Sequence, residues 1–159
     1  MSAKDARIVQ PRHAAAPVYL MRVVAAPGER TLAHGALWAS VLNATPDDDT
    51  DGPSPIESLM TALAGCLARN LRSVADEARV VLDRTEMAIA ATRSDDPPAI
   101  TGFVVDLAID SPAAADRVRH LVDLAIRYGT ITRTLARACP LTINLTINRG
   151  APEEVSRAN

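Results

Sequence analysis

Residues 54–78 read SPIESLMTALAGCLARNLRSVADEA and decide the fold more than any other stretch of the chain. Ser54, Pro55 and Glu57 have the pattern of a capping box, with an N-cap serine, proline at the first helical position and glutamate at the third. Apolar side chains then recur at helical spacing, at Ile56, Met60, Leu63, Leu67, Leu71 and Val74. The pattern predicts a helix from about Pro55 to Ala78.

Two stretches before this helix are typical of β-strands. Residues 18–25 and 32–42 are rich in β-formers, and the Pro-Gly-Glu segment 27–29 between them predicts a hairpin loop. Residues 43–54 concentrate Asp, Pro, Gly and Thr, which predicts a polar loop. Residues 1–17 show no sustained period, so we expect an N-terminal arm.

Strands and helices are both predicted after the long helix. The predicted elements are, in order, a strand at 79–93, a turn at 95–98, a strand at 100–109, a helix opened by Ser111-Pro112 that ends or kinks at Tyr128-Gly129, a short helix at 131–138 and a strand at 141–148. This order predicts an α+β fold rather than a doubly wound sheet. We expect one domain over residues 18–150 and a C-terminal tail at 151–159.

Composition excludes several classes of function. The 159 residues carry a net charge of −2 and only four aromatic side chains, which argues against a nucleic-acid partner. No apolar run is long enough to span a membrane, and the first residues are charged where a secretion signal would be apolar. We therefore expect a cytoplasmic protein with no membrane partner. Two cysteines are too few for a disulfide scaffold.

Cys66 lies at the border of the apolar stripe of the predicted helix, so its thiol should be half-buried. Two interpretations of this position remain open. The cysteine is either a small core residue, or a nucleophile if a nearby cation favours the thiolate. Arg69 and Arg72 follow on the same helix, but spacing alone does not show whether either reaches the sulfur.

A family resemblance bears on this choice. Residues 52–59, GPSPIESL, and 62–67, ALAGCL, resemble the signature helix of the OsmC/Ohr family, named for osmotically inducible protein C and organic hydroperoxide resistance protein. Residues 97–100 and the Thr-Leu-Ala segment 134–136 also look like that family in order and spacing. The resemblance covers roughly residues 18 to 148.

The resemblance implies antiparallel sheets wrapped around two central helices in an intertwined homodimer, with the active site at the subunit interface. Active members of the family reduce hydroperoxides with two cysteines and no other cofactor. The cysteine that matches Cys66 attacks the peroxide as a thiolate and becomes a sulfenic acid. A second cysteine condenses with it, and a dithiol reductant restores the pair. An arginine holds the thiolate, and a glutamate orients the arginine.

The sequence departs from the family pattern at two places. Gly129 stands where the family has its second cysteine, so Cys139 is either a displaced resolving cysteine or a small buried residue at a strand start. Ile56 stands at the family's glutamate position, ten residues before the helix cysteine. Glu57, nine residues before it, either belongs to the capping box or orients the arginine.

The resemblance does not identify the arginine. Arg22 and Arg30 are candidates for the thiolate partner, with surface or dimer salt bridges as the alternative for both. Three histidines, His13, His34 and His120, have no compact metal-ligand spacing, so we expect no metal.

Apolar residues near the cysteine suggest the substrate class. Met60, Leu63, Leu67 and Trp38 are candidates for the lining of a pocket that suits an organic hydroperoxide better than hydrogen peroxide. The leading hypothesis is therefore a thiol-dependent hydroperoxide reductase with Cys66 as nucleophile. The alternative is a dimer of the same fold without peroxidase activity, which binds a small apolar ligand or has a structural role.

Overall fold

The computed structural model describes residues 21–24, 31–35, 39–42 and 52–148. The chain groups into two compact units, which divide between Ser58 and Leu59. The predicted arm, the hairpin loop and the C-terminal tail lie outside the described residues, as does most of the predicted polar loop. The described elements form an α+β fold, as the sequence predicts.

The N-terminal unit contains a three-stranded antiparallel sheet, in the order β1 (Arg22–Val24), β2 (Thr31–His34) and β3 (Ala39–Leu42). The antiparallel pairing of β1 with β2 agrees with the predicted hairpin. The single run predicted over 32–42 is wrong, because it holds two strands that pair with each other. Gly35 directly follows β2, and a glycine weakens a run of β-formers.

The long helix α1 spans Pro55–Ala78, which confirms the predicted bounds. Its fully buried side chains recur every fourth residue: Leu63, Leu67, Leu71 and Ala75. A spacing of four keeps them on one face of the helix, so α1 presents a single apolar stripe to the core of its unit.

Helix α1 ends in a Schellman motif with arginine at the left-handed position. The Val80 N–H donates to the Ala75 carbonyl at 2.9 Å, and the Arg79 N–H donates to the Asp76 carbonyl at 3.1 Å. Arg79 has a φ of 51°. The β character predicted from residue 79 onward is therefore wrong over its first five residues. Residues 79–83 instead form the end of the helix motif and the loop that leads to the next strand, which begins at Arg84.

The second sheet contains β4 (Arg84–Asp95), β5 (Pro98–Asp110) and β6 (Leu141–Asn148), in that order. Strands β4 and β5 form a long antiparallel hairpin, whereas β6 runs parallel to β5. The sheet is thus mixed, which corrects the expectation of antiparallel sheets. The long connection from β5 to β6 carries two helices, and such a crossover returns the chain to the end of the sheet at which β5 began.

Helices α2 (Ala115–Tyr128) and α3 (Thr130–Ala138) fill this connection, with Gly129 between them. The predicted helix start at Ser111 is too early. The Ser111 hydroxyl donates to the Val81 carbonyl at 2.6 Å and accepts from the Ala113 N–H at 3.2 Å. It therefore holds the turn before the helix instead of capping the helix.

The core of the C-terminal unit lies between α1, α2 and the inner face of the sheet. Strand β5 contributes every second residue: Phe103, Val105, Leu107 and Ile109. Val118, Val122 and Ala125 of α2 complete the same cluster together with the leucines of α1. Phe103 is the one aromatic residue in this buried cluster, which confirms a core built from aliphatic side chains.

Candidate active site

The first turn of α1 is held by the predicted capping box. The Ser54 N–H donates to Glu57 Oε2 at 2.7 Å, and the Glu57 N–H donates to Ser54 Oγ at 3.3 Å. Hydrogen bonds from the backbone and the hydroxyl of Ser54 lower the pKa of Glu57. The capping interpretation of Glu57 thus has direct geometric support, and a role in orienting an arginine stays a prediction.

Cys66 lies in the middle of α1 with a half-buried thiol, as its place at the border of the apolar stripe predicts. The side-chain amide of Asn70, one turn later, donates from Nδ2 to Cys66 Sγ at 3.6 Å. Leu63 and Leu67 lie in the core on one side of the cysteine, and Gly65 is exposed on the other. The thiol therefore stands where the core meets the exposed face of the helix.

The structure brings none of the candidate arginines to this sulfur among the residues it describes. Arg69 and Arg72 are exposed and form no hydrogen bond with Cys66. The side chain of Arg22 on β1 and the whole of Arg30 lie outside the described residues. Their pairing with the thiolate stays a prediction.

Cys139 ends helix α3 and packs against the core of the C-terminal unit. Its N–H donates to the Leu135 carbonyl at 3.0 Å, and its Sγ lies 3.9 Å from the same oxygen. Both cysteines are free thiols. These contacts give Cys139 a structural place at a helix end, and its resolving role stays a prediction.

Gly129, which the family resemblance aligns with the second cysteine, is buried at the junction of α2 and α3. A Cβ there would lie 2.7 Å from Thr132 Oγ1 and 3.0 Å from the Ala125 carbonyl oxygen. Any side chain at this position would force these neighbours to move. The local packing therefore gives a physical reason for glycine here and disfavours any larger residue, cysteine included.

The predicted pocket residues have different environments. Leu63 and Leu67 are 0% and 1% exposed and belong to the core, and the half-buried Met60 packs against it. Trp38 lies outside the described residues. A groove of about 740 Å³ does follow the C-terminal half of α1, where Arg72, Arg79 and others line it, but Cys66 is not among its lining residues. The substrate pocket therefore stays a prediction.

Asn70 is the site residue that sequence reasoning missed. The signal was present, because residues four apart on a helix are neighbours and Asn70 follows Cys66 by four. Asparagine carries no charge, so it lacks the feature that marks Arg69 and Arg72 as candidate partners of a thiolate.

The described residues contain no group of three or more His, Cys, Asp or Glu side chains that could hold a metal ion. None of their helices combines the length and the apolar character needed to cross a membrane.

The fold and the helix thiol together define an α+β protein with a half-buried free cysteine on its longest helix. The model of the family described as OsmC-like protein matches residues 46–144, and the chain belongs to this family. Comparison with curated protein sequences gives no match.

Solved structures with the same fold agree with this membership. An OsmC-like protein from Mycoplasma pneumoniae has a TM-score of 0.74 at 19% identity, and the match covers 85% of this chain and 99% of that one. The organic hydroperoxide resistance protein OsmC from Legionella pneumophila gives 0.63 at 15% identity, covering 82% and 99%. Organic hydroperoxide resistance protein OhrB of Bacillus subtilis gives 0.58 at 15% identity, covering 80% and 98%. At these identities the likeness shows the fold alone.

Proposed function

We propose that this protein is a thiol-dependent hydroperoxide reductase that acts preferentially on organic hydroperoxides, with Cys66 as the nucleophile. The observation that carries the proposal is the half-buried Cys66 thiol on the family's signature helix, with an amide donor 3.6 Å from its sulfur. The names of the Legionella and Bacillus neighbours supply the substrate class. The reducing cytoplasm is the proposed setting, because thiols stay reduced there.

The proposed reaction moves two electrons from sulfur to the peroxide. The Cys66 thiolate attacks the terminal oxygen of R–O–O–H, an S–O bond forms, and the O–O bond breaks. The sulfur becomes a sulfenic acid, and the leaving alkoxide takes up one proton to become the alcohol R–OH. Sulfur is thereby oxidised and the hydroperoxide is reduced to an alcohol.

Recycling in this proposal uses an external thiol reductant. Its first thiol condenses with the sulfenic acid, which forms a mixed disulfide and releases water. A second thiol then attacks the reductant's sulfur in this disulfide, so that Cys66 is released as a thiol and the reductant becomes a disulfide. Gly129 carries no thiol, and Cys139 packs against the core at the end of α3, which supports this route over an internal resolving cysteine.

The proposal is tested by a single turnover of the fully reduced protein with an equimolar alkyl hydroperoxide. We expect the wild type to lose thiol, and a sulfenic acid reagent to label Cys66. The Cys139→Ser variant should react like the wild type, and Cys66→Ser should not react. Reaction with hydrogen peroxide should be slower than with the alkyl hydroperoxide.

Two other results would change the assignment. Full retention of thiols in the wild type would contradict the peroxidase proposal and favour a non-catalytic dimer of this fold that binds an apolar ligand or serves a structural role. Loss of both thiols with formation of an intramolecular disulfide would instead make Cys139 the resolving residue.

A further inference from the structure

Asn70 is placed to act on the sulfur of Cys66. Its Nδ2 lies 3.6 Å from Sγ, and both side chains are half-buried on the same helix. Long side chains on a helix lean towards its N-terminus, so a residue at i+4 reaches back over the residue at i. The contact therefore follows from ordinary helix geometry and needs no strained backbone.

The rest of the structure gives Asn70 no other task. Among the described residues, the Cys66 thiol is the one hydrogen-bond partner of its side chain. Asparagine is also less favourable inside a helix than its neighbours Arg69 and Leu71, because its amide competes for backbone hydrogen bonds. A half-buried asparagine in the middle of α1 is thus better explained by the sulfur than by the helix.

We propose that Asn70 is a catalytic residue of the Cys66 site, whose amide N–H stabilises the thiolate by hydrogen bonding. This inference rests on the proposed function for its role in peroxide reduction. A hydrogen bond to a charged acceptor is stronger than one to a neutral acceptor, so the amide favours the thiolate over the thiol. The amide itself does not titrate, so its contribution does not change with pH.

This mechanism predicts that the reactions of Cys66 depend on the amide donor. Loss of the N–H leaves the charged sulfur without this hydrogen bond, so reactions that proceed through the thiolate become slower. A merely structural role for Asn70 would instead be retained by a side chain of the same size without the donor.

The test measures alkylation of Cys66 by iodoacetamide in a Cys139→Ser background at neutral pH. We expect Asn70→Ala to react about 3- to 10-fold more slowly than the parent. Asn70→Asp keeps the size of the side chain but places a carboxylate beside the thiolate, so it should react more slowly still, because like charges repel.

The matched control is Ser73→Ala, an exposed position on the same helix, which should reproduce the parent rate. Circular dichroism of each variant checks that α1 is retained. An unchanged alkylation rate in folded Asn70→Ala overturns the inference, whatever the protein does with peroxides. A slower rate together with full thiol retention under hydroperoxide supports the Asn70 contact and overturns the peroxidase proposal alone.

Discussion

At the scale of single residues, the buried hydroxyl of Thr132 packs against Gly129 but forms no hydrogen bond in the described part of the chain. Thr132 is 1% exposed, and its Oγ1 has no hydrogen-bond partner among the described residues. The same oxygen closes the space where a side chain at position 129 would lie. A buried hydroxyl without a partner lowers stability by about 1 to 3 kcal/mol, since it loses its hydrogen bonds to water.

Replacing this hydroxyl with a methyl group should therefore stabilise the protein. We expect Thr132→Val to raise the free energy of unfolding by about 1 kcal/mol, measured by urea denaturation of the reduced protein. Thr134→Val is the control, because the Thr134 hydroxyl is exposed and donates to the Thr130 carbonyl at 2.9 Å. A Thr132→Val variant that is no more stable than the wild type would show that the hydroxyl is satisfied in solution.

The sequence predicts the half-buried thiol of Cys66 but not its surroundings, and the role of Cys66 as nucleophile stays a prediction. The motif around Cys66 and its place on the helix are both local properties of the chain. The effect of a side chain at Gly129 depends on Thr132 and Ala125, and no pattern of residue types shows that these two approach so closely. The two candidates for the arginine that pairs with the thiolate, Arg22 and Arg30, are far from Cys66 in sequence. Residue spacing therefore cannot identify the partner.

At the scale of elements, the backbone is strained at the C-terminal end of α1, and the sequence alone does not show this strain. The left-handed position of a Schellman motif is usually glycine, because a Cβ there approaches the following carbonyl oxygen. Here Arg79 takes that position with a φ of 51°. The Val80 N–H donates the outer hydrogen bond of the motif to the Ala75 carbonyl. Both residues are buried in one small cluster, and this packing holds the arginine in place.

Glycine at this position should relieve the strain. We expect Arg79→Gly to raise the free energy of unfolding by up to about 1 kcal/mol, after the greater flexibility of glycine in the unfolded chain is taken into account. Arg79→Ala removes the same side chain but keeps the Cβ, so it should give no gain. Equal urea midpoints for the two variants would mean that the backbone at residue 79 is not strained.

Elements were predicted best where their signals are local. The bounds of α1 and β6 were exact, because helical spacing with a capping box and strict alternation need no distant information. The split of residues 32–42 into two strands and the parallel direction of β6 were missed. Both features depend on which segments pair in three dimensions, and the β-propensity of single residues does not determine this pairing.

At the scale of the whole molecule, one exposed glycine bears on the proposed homodimer. Gly65 lies in the middle of α1, and a Cβ there would contact nothing within 4 Å in the described part of the chain. Glycine inside a helix costs about 1 kcal/mol relative to alanine. The exposed residues Ala62 and Ala68 also have small side chains in the same region of the helix. Close approach of a second α1 would explain why a glycine is kept there.

A large side chain at this position should separate the two copies without unfolding either. We expect the wild type to have twice the mass of a single chain by light scattering, and Gly65→Leu to have the mass of one chain with unchanged helix content. The exposed Asp123 on α2 offers the control Asp123→Leu, which should remain dimeric. A monomeric wild type, or a Gly65→Leu variant that stays dimeric, would contradict this arrangement.

The parallel pairing of β6 determines how late in synthesis the second sheet can be completed. Each residue of β6 pairs with a β5 residue synthesised 38 positions earlier, as Asn144 does with Asp106. Helix α1 and both strands of the β4–β5 hairpin are therefore synthesised before the last strand exists. Closing so long a connection is slower than closing a hairpin. The free edge of β5 thus serves as the template with which β6 pairs. If translation stops before Leu141, that edge stays unpaired and can pair with strands of other chains.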